Sequence, residues 1–241
     1  MSITISYAKV SDTWFIEQYE QLASLLNVLD KQRFDKMKSQ LKRKQLVLSR
    51  FLLQQAVLEL LNEETYSIQS YHIENYHQLI INQQYHFSIS ITHSGPIAAV
   101  CVSKRQLKLG IDVEKIKSRS FIELSAEICT PNEFTRIKAG QYQPVSFYQL
   151  WTTKEALTKA TAANLTDSFS FDCSPVLKKN NGVITLAKKP FSYHSISLFH
   201  ESDSFVGTVV VELLDYNRSN NNIFETSCNK NSAISWQYYT S

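Results

Sequence analysis

Four short segments of this chain hold residue types that can handle a phosphate and a cation. Gly110-Ile111-Asp112-Val113-Glu114 sits in an apolar run of strand character. Residues two apart on a strand face one side, so Asp112 and Glu114 present two carboxylates together while Ile111 and Val113 face a core. Such a pair suits a hard cation, because Mg²⁺ takes oxygen ligands from one or two protein carboxylates plus phosphate and water. A strand running out into solvent with two exposed acids has the same pattern.

The second segment is Trp151-Thr152-Thr153-Lys154-Glu155-Ala156-Leu157-Thr158-Lys159, which is strongly helical. Spacings of three and four place Trp151, Lys154, Glu155 and Lys159 on one broad face, with Glu155 and Lys159 adjacent across a turn. Glu155 could complete a metal site or accept a proton, and the two lysines could hold phosphate oxygens. An ordinary surface ion pair with Trp151 as a core anchor is the plainer alternative. In the third segment, Ser90-Ile91-Thr92-His93-Ser94-Gly95-Pro96, a strand meets a turn. Its hydroxyls, imidazole and turn amides can bind phosphate, although a histidine there can equally be a hydrogen-bonded structural residue. No G-x-S-x-G elbow accompanies it, so nucleophilic serine catalysis is not supported. Lastly, Arg43 and Arg50 lie seven apart on a helical stretch, so they share a face and could grip one phosphate or simply be solvated.

The elements that must position these residues follow from periodicity. Trp14, Phe15, Tyr19, Leu22, Leu25, Leu26 and Leu29 mark a helix from Thr13 to about Leu29, and a second runs from near Met37 to about Leu61. Strand-like runs follow at 78–82, 85–92, 97–103 and 108–114. Helical patterns return near Phe121, at Pro131 and over 146–163, and strands at 169–172, 182–187, 194–199 and 205–213. Helices then strands, twice, imply an α+β protein of two similar halves, 1–106 and 107–215, with a seam near 105–120. Residues 216–241, rich in Asn and Ser, read as a poorly ordered tail anchored by Trp236, Tyr238 and Tyr239.

At 241 residues and 43% hydrophobic, the chain is long and apolar enough for a real core without a disulfide or metal staple. The net charge of +3 excludes a generally basic nucleic-acid binder. Yet residues 31–50 hold eight cations against Asp35, a local +7 that leaves −4 for the remainder and asks for an anionic partner. Cys101, Cys129, Cys173 and Cys228 show no zinc spacing and read as free thiols of a reducing compartment. No signal peptide or membrane-spanning run is visible, so a cytoplasmic protein is expected.

Taken in order, RKQLVLSR (43–50), THS (92–94), GIDVE (110–114) and WTTKEALTK (151–159) resemble the Sfp-type 4′-phosphopantetheinyl transferases. That family pattern has a basic R-x6-R helix, a hydroxyl-His-Ser turn, a G-I-D-x-E strand and a W-x-x-K-E-A-x-x-K helix. The resemblance spans about residues 40–170. It implies a pseudo-twofold pair of α+β halves with coenzyme A in the cleft between them. It implies transfer of the phosphopantetheine arm of coenzyme A to a serine of an apo acyl, peptidyl or aryl carrier protein, releasing adenosine 3′,5′-bisphosphate. By resemblance Asp112, Glu114 and Glu155 ligate Mg²⁺, which Mn²⁺ can replace, and Asp112, Glu155 and Lys159 form the catalytic set, with Glu155 as proton acceptor. Lys154 and Lys159 contact pyrophosphate or pantetheine, while Arg43, Arg50, Thr92 and His93 bind the nucleotide phosphates. A monomer with neither nucleic-acid nor membrane partners is expected. A non-catalytic protein on the same fold that binds coenzyme A or a carrier is one alternative; a nucleic-acid-binding domain using residues 31–50 is another, disfavoured because the basic helix has no base-reading motif.

Several positions depart from that pattern. His77-Gln78-Leu79 replaces a Gly-Lys-Pro turn, Ser90 an Asn, Thr92 a Ser, and Gln54 a basic residue. After Lys159 the usual Gly-x-Gly-Leu reads Ala162-Ala163-Asn164-Leu165, which puts Cβ atoms where left-handed backbone angles are expected.

Overall fold

A computed structural model describes residues 2–62, 71–74, 77–81, 85–140, 143–200, 203–213, 223–228 and 234–239. The chain divides into two compact units, Met1–Leu107 with Ser219–Ser241, and Lys108–Arg218. Both are α+β, each an antiparallel sheet with a long helix laid against it.

The first unit opens with β1 (Ser2–Lys9), then α1 (Thr13–Ser24), α2 (Val28–Lys36) and α3 (Gln40–Leu61). Strands β2 (Tyr71–Glu74), β3 (Gln78–Ile81), β4 (Tyr85–Ser94) and β5 (Ile97–Ser103) follow. Phe15, Leu48, Leu52 and Ala56 of the helices pack on Phe87, Ile89, Val100 and Val102 of the strands to form the core. The expected helix from Thr13 to Leu29 is broken near Leu25. Asn27 starts a new helix by accepting a hydrogen bond from the Asp30 amide at 2.8 Å, a capping contact that ends the run of hydrophobic spacing. Helix α3 is capped by Ser39 and closed by Asn62 in the left-handed region.

In the second unit β6 (Leu109–Lys115) leads into α4 (Phe121–Ile128), α5 (Pro131–Ala139), α6 (Gln143–Thr161) and the short α7 (Leu165–Ser168). Strands β7 (Asn181–Leu186), β8 (Lys189–His200) and β9 (Asp203–Glu212) complete a sheet of order β6-β9-β8-β7. Helix α6 packs on β6 and β9. The two-residue β7–β8 turn carries positive φ at both Ala187 and Lys188, the geometry that matches strand twist in a tight hairpin.

Other elements also differ from expectation. The alternating segment Ser2–Lys9 is a strand, β1, buried at Ile3 and Ile5 and paired with β5. Residues 169–172 are loop rather than strand, because their carbonyls turn toward a buried ammonium described below. Within the expected tail, β10 (Ile223–Cys228) and β11 (Ile234–Tyr239) are strands, and β11 pairs with β1 to give the order β10-β11-β1-β5-β4-β3-β2. Its Asn- and Ser-rich stretch 217–222 lies outside the described residues. Among the described residues no helix is long and apolar enough to cross a membrane.

Candidate functional site

The strand and helix that carry the acidic and Lys/Glu motifs lie against each other in the second unit. Gly110, Asp112 and Glu114 share one side of β6 by the two-residue period. That side meets α6, because a Cβ on Gly110 would stand 1.9 Å from the Ala156 carbonyl oxygen and 3.0 Å from the Ala160 amide. The missing side chain therefore sets how closely the helix approaches. Glu155, beside Ala156, lies near enough to Asp112 and Glu114 to feel both charges. Helix register is further fixed by hydroxyls. Thr208, opposite Asp112 on β9, lies 2.8 Å from Thr152 Oγ1 and 3.0 Å from Ser195 Oγ, and all three residues are buried. Thr152 in turn donates to the Tyr148 carbonyl at 2.8 Å.

Within this frame Lys159 donates from Nζ to Asp112 Oδ1 at 2.8 Å and to the Ile111 carbonyl at 3.0 Å. Asp112 is buried, whereas 27% of the Lys159 side chain stays accessible. Burial pushes the half-buried Glu155 carboxyl above its ordinary value; the Asp112 and Glu114 carboxylates push the same way, and Lys159 partly offsets them. Glu155 thus feels both acids of β6. Among the described residues, no group of three or more His, Cys, Asp or Glu could by itself hold a metal ion. The donor set still fits a hard cation that shares its shell with phosphate and water, since its oxygens are all carboxylate and one or two suffice.

Lys154, expected on pyrophosphate or pantetheine, is placed against a buried carboxylate. Neighbours on a helix point about 100° apart, and from its position Lys154 reaches α5 instead of β6. Its side chain is fully buried, 3.1 Å from Glu133 Oε2. It also donates to the carbonyls of Ser168 and Phe169 at 3.3 Å and of Phe171 at 2.5 Å. Glu133 caps α5 with Thr130 and accepts from the Cys173 amide at 2.6 Å. A buried ammonium saturated in this way is a strut between α6, α5 and the 168–173 loop.

Arg50 likewise has a buried partner. It is 6% exposed and forks onto Asp30, Nε to Oδ2 at 2.7 Å and Nη2 to Oδ1 at 2.8 Å, with the Tyr71 hydroxyl donating to Oδ2 at 2.6 Å. Burial alone would push the Asp30 carboxyl up, but the Arg50 guanidinium and Tyr71 outweigh it and hold it below the usual carboxylate range. Arg43, two turns earlier, is half-buried, stacks 5.1 Å over Phe34 and donates to the Met37 carbonyl at 2.9 Å. The two arginines therefore hold different partners. Arg50 floors a cavity of about 480 Å³ beside α2, rimmed by Leu29, Arg33, Lys36, His72 and Glu74.

The hydroxyl-His segment ends β4, with Thr92 buried, His93 exposed and Gly95 at φ 54° in the turn to β5. Gln45 of α3, which the motif reading passed over, donates to the Gly95 carbonyl at 2.7 Å and ties this turn to the Arg43 helix. Glu133, Thr208 and Asp30 were also missed, since each gains its role from a partner distant in sequence. Gly110 alone left a signal, a glycine inside an apolar strand. After Lys159 the chain turns with Ala162 at φ 53°, in the left-handed region where the family pattern places glycine.

Residues 108–210 match the model of the 4′-phosphopantetheinyl transferase superfamily. The match holds Asp112, Glu114, Glu155 and Lys159 together within the second unit. No curated protein matches the chain.

Proposed function

We propose that this chain, carrying a 4′-phosphopantetheinyl transferase superfamily domain over residues 108–210, moves the phosphopantetheine arm of coenzyme A onto a serine of an apo carrier protein. The observation that carries this reading is the approach of α6 to β6 at Gly110, which brings Glu155 and Lys159 over Asp112 inside the matched span.

In the proposed reaction the carrier serine Oγ bonds to the β-phosphorus of coenzyme A. The bond from that phosphorus to the bridging oxygen breaks, and the electron pair leaves on adenosine 3′,5′-bisphosphate. Glu155 takes the serine proton. Lys159 neutralises pyrophosphate charge, and positioning the serine in line supplies much of the remaining rate. Asp112 and Glu155 would hold Mg²⁺ or Mn²⁺, with Glu114 adding negative charge beside them, and the ion when bound would offset charge on the pyrophosphate. In the first unit Arg43, Thr92 and His93 are the candidates for nucleotide phosphates.

The test mixes purified protein with coenzyme A, Mg²⁺ and a panel of apo fatty-acid, polyketide and peptide-synthetase carriers, then weighs each carrier. A phosphopantetheine mass gain that disappears in Glu155→Gln and Asp112→Asn is expected. No gain across the panel, with saturable coenzyme A binding intact, would instead favour a non-catalytic binder.

A further inference from the structure

Resting on the transfer reading above, we propose that Lys159 is an internal counter-ion: its ammonium holds Asp112 until coenzyme A draws it onto phosphate, so that metal and coenzyme A bind cooperatively. Asp112 is a buried carboxylate on β6, and such a charge is costly to leave uncompensated. Lys159 Nζ meets that need with a 2.8 Å contact to Oδ1, and the Ile111 carbonyl at 3.0 Å anchors it to the strand.

A divalent cation approaching Asp112 competes with this ammonium for the same negative charge. Lys159 can yield, because its contacts sit at the tip of a long flexible stem in the last turn of α6 and 27% of the side chain is already accessible. Once displaced it needs another anion, and a pyrophosphate held over the site is one. Metal alone must therefore break the Lys159–Asp112 contact without return. Metal together with coenzyme A exchanges it for a lysine–phosphate contact. By linkage each ligand then tightens the other by the same factor.

The experiment measures Mn²⁺ binding to the full chain by electron paramagnetic resonance, with and without coenzyme A and with no carrier present, so nothing turns over. For the unmodified protein, coenzyme A should tighten Mn²⁺ binding about tenfold or more, the equivalent of about 1.4 kcal/mol. Lys159→Met should tighten Mn²⁺ binding about tenfold in the absence of coenzyme A, from loss of one charge-assisted hydrogen bond, and should show a smaller enhancement by coenzyme A, the remainder coming from pyrophosphate oxygens in the metal's own shell. Lys159→Arg keeps the competing charge and should retain weak metal binding. Lys189→Met removes a cation paired instead with Glu212, so it should leave Mn²⁺ binding within about twofold.

Unchanged or weaker Mn²⁺ binding by Lys159→Met without coenzyme A overturns the counter-ion role while leaving the transfer reading standing. Equal coenzyme A enhancement in both proteins does the same. Absence of Mn²⁺ binding in every variant, with coenzyme A present, overturns the metal assignment itself and the counter-ion role with it.

Discussion

Replacing Gly110 with alanine adds one methyl group where the site has no room for it. The new Cβ would lie 1.9 Å from the Ala156 carbonyl oxygen and 2.8 Å from its carbon, both main-chain atoms of α6, so no side chain can swing aside. Opening that gap to an ordinary contact of 3.4 Å, the separation found at Gly140, lifts α6 from β6 by about 1.5 Å. The 2.8 Å Lys159–Asp112 and Thr152–Thr208 contacts then stretch toward 4 Å, beyond hydrogen-bond range. Overpacking costs about 1–3 kcal/mol, and loss of the Lys159 contact on the buried Asp112 about 1–3 more. A loss of about 3–5 kcal/mol corresponds to a fall in melting temperature on the order of 6–20 °C. Misplacing Glu155 by more than 1 Å should slow carrier modification about 100-fold or more in the protein that remains folded. Gly207→Ala is the control on the neighbouring strand, where the added Cβ meets the Asp112 carbonyl oxygen at 3.3 Å and a small shift suffices. Thermal unfolding with the carrier mass assay checks both arms. A Gly110→Ala protein that melts within about 2 °C of the parent and modifies its carrier within about threefold would refute the close-approach argument.

Ala162→Gly should stabilise the second unit by about 0.5–1 kcal/mol, because alanine at φ 53° carries a strain glycine escapes; a lower denaturant midpoint would contradict this. Lys154→Met should cost about 3–5 kcal/mol by leaving Glu133 buried without its cation, yet leave coenzyme A affinity of the folded fraction within about twofold; calorimetric titration showing a tenfold loss would return Lys154 to the phosphate. Burial pushes the His194 imidazole down to about 4 from 6.5, so the unfolded chain takes up the proton first. Its contribution is full above pH 6.5 and is lost as pH falls toward 4. With part exposure screening the effect, the loss is on the order of 1–2 kcal/mol, read as the difference between the parent and His194→Gln in denaturant midpoint against pH. Parallel profiles for the two proteins would remove His194 from the acid response.

Much of the architecture was legible because period reports burial. The apolar spacing over 121–163 and the alternation around Ile111 and Val113 mark α4, α5, α6 and β6, and all are present. What the spacing could not resolve was competition between local rules. Asn27 caps a new helix inside a hydrophobic run, and the aromatic segment 169–172 forms a loop because Lys154 needs its carbonyls. The strand β1 is a short alternating segment whose pairing partners lie about 95 and 235 residues along the chain, at β5 and β11.

The candidate site divides along the same line. Asp112 and Glu114 on one side of a strand, and Glu155 one turn before Lys159, follow from the two- and four-residue periods, so the sequence alone determined which acids and which cation could meet. Which cations are committed elsewhere was decided only by tertiary structure. Arg50 belongs to Asp30, twenty residues earlier, and Lys154 to Glu133, twenty-one earlier, and no local spacing reports either pairing. A charge in a segment is read as one charge whether it faces water or a buried partner. Its free energy depends on which of these it meets, and folding makes that choice when a glycine such as Gly110 lets a helix settle onto its strand.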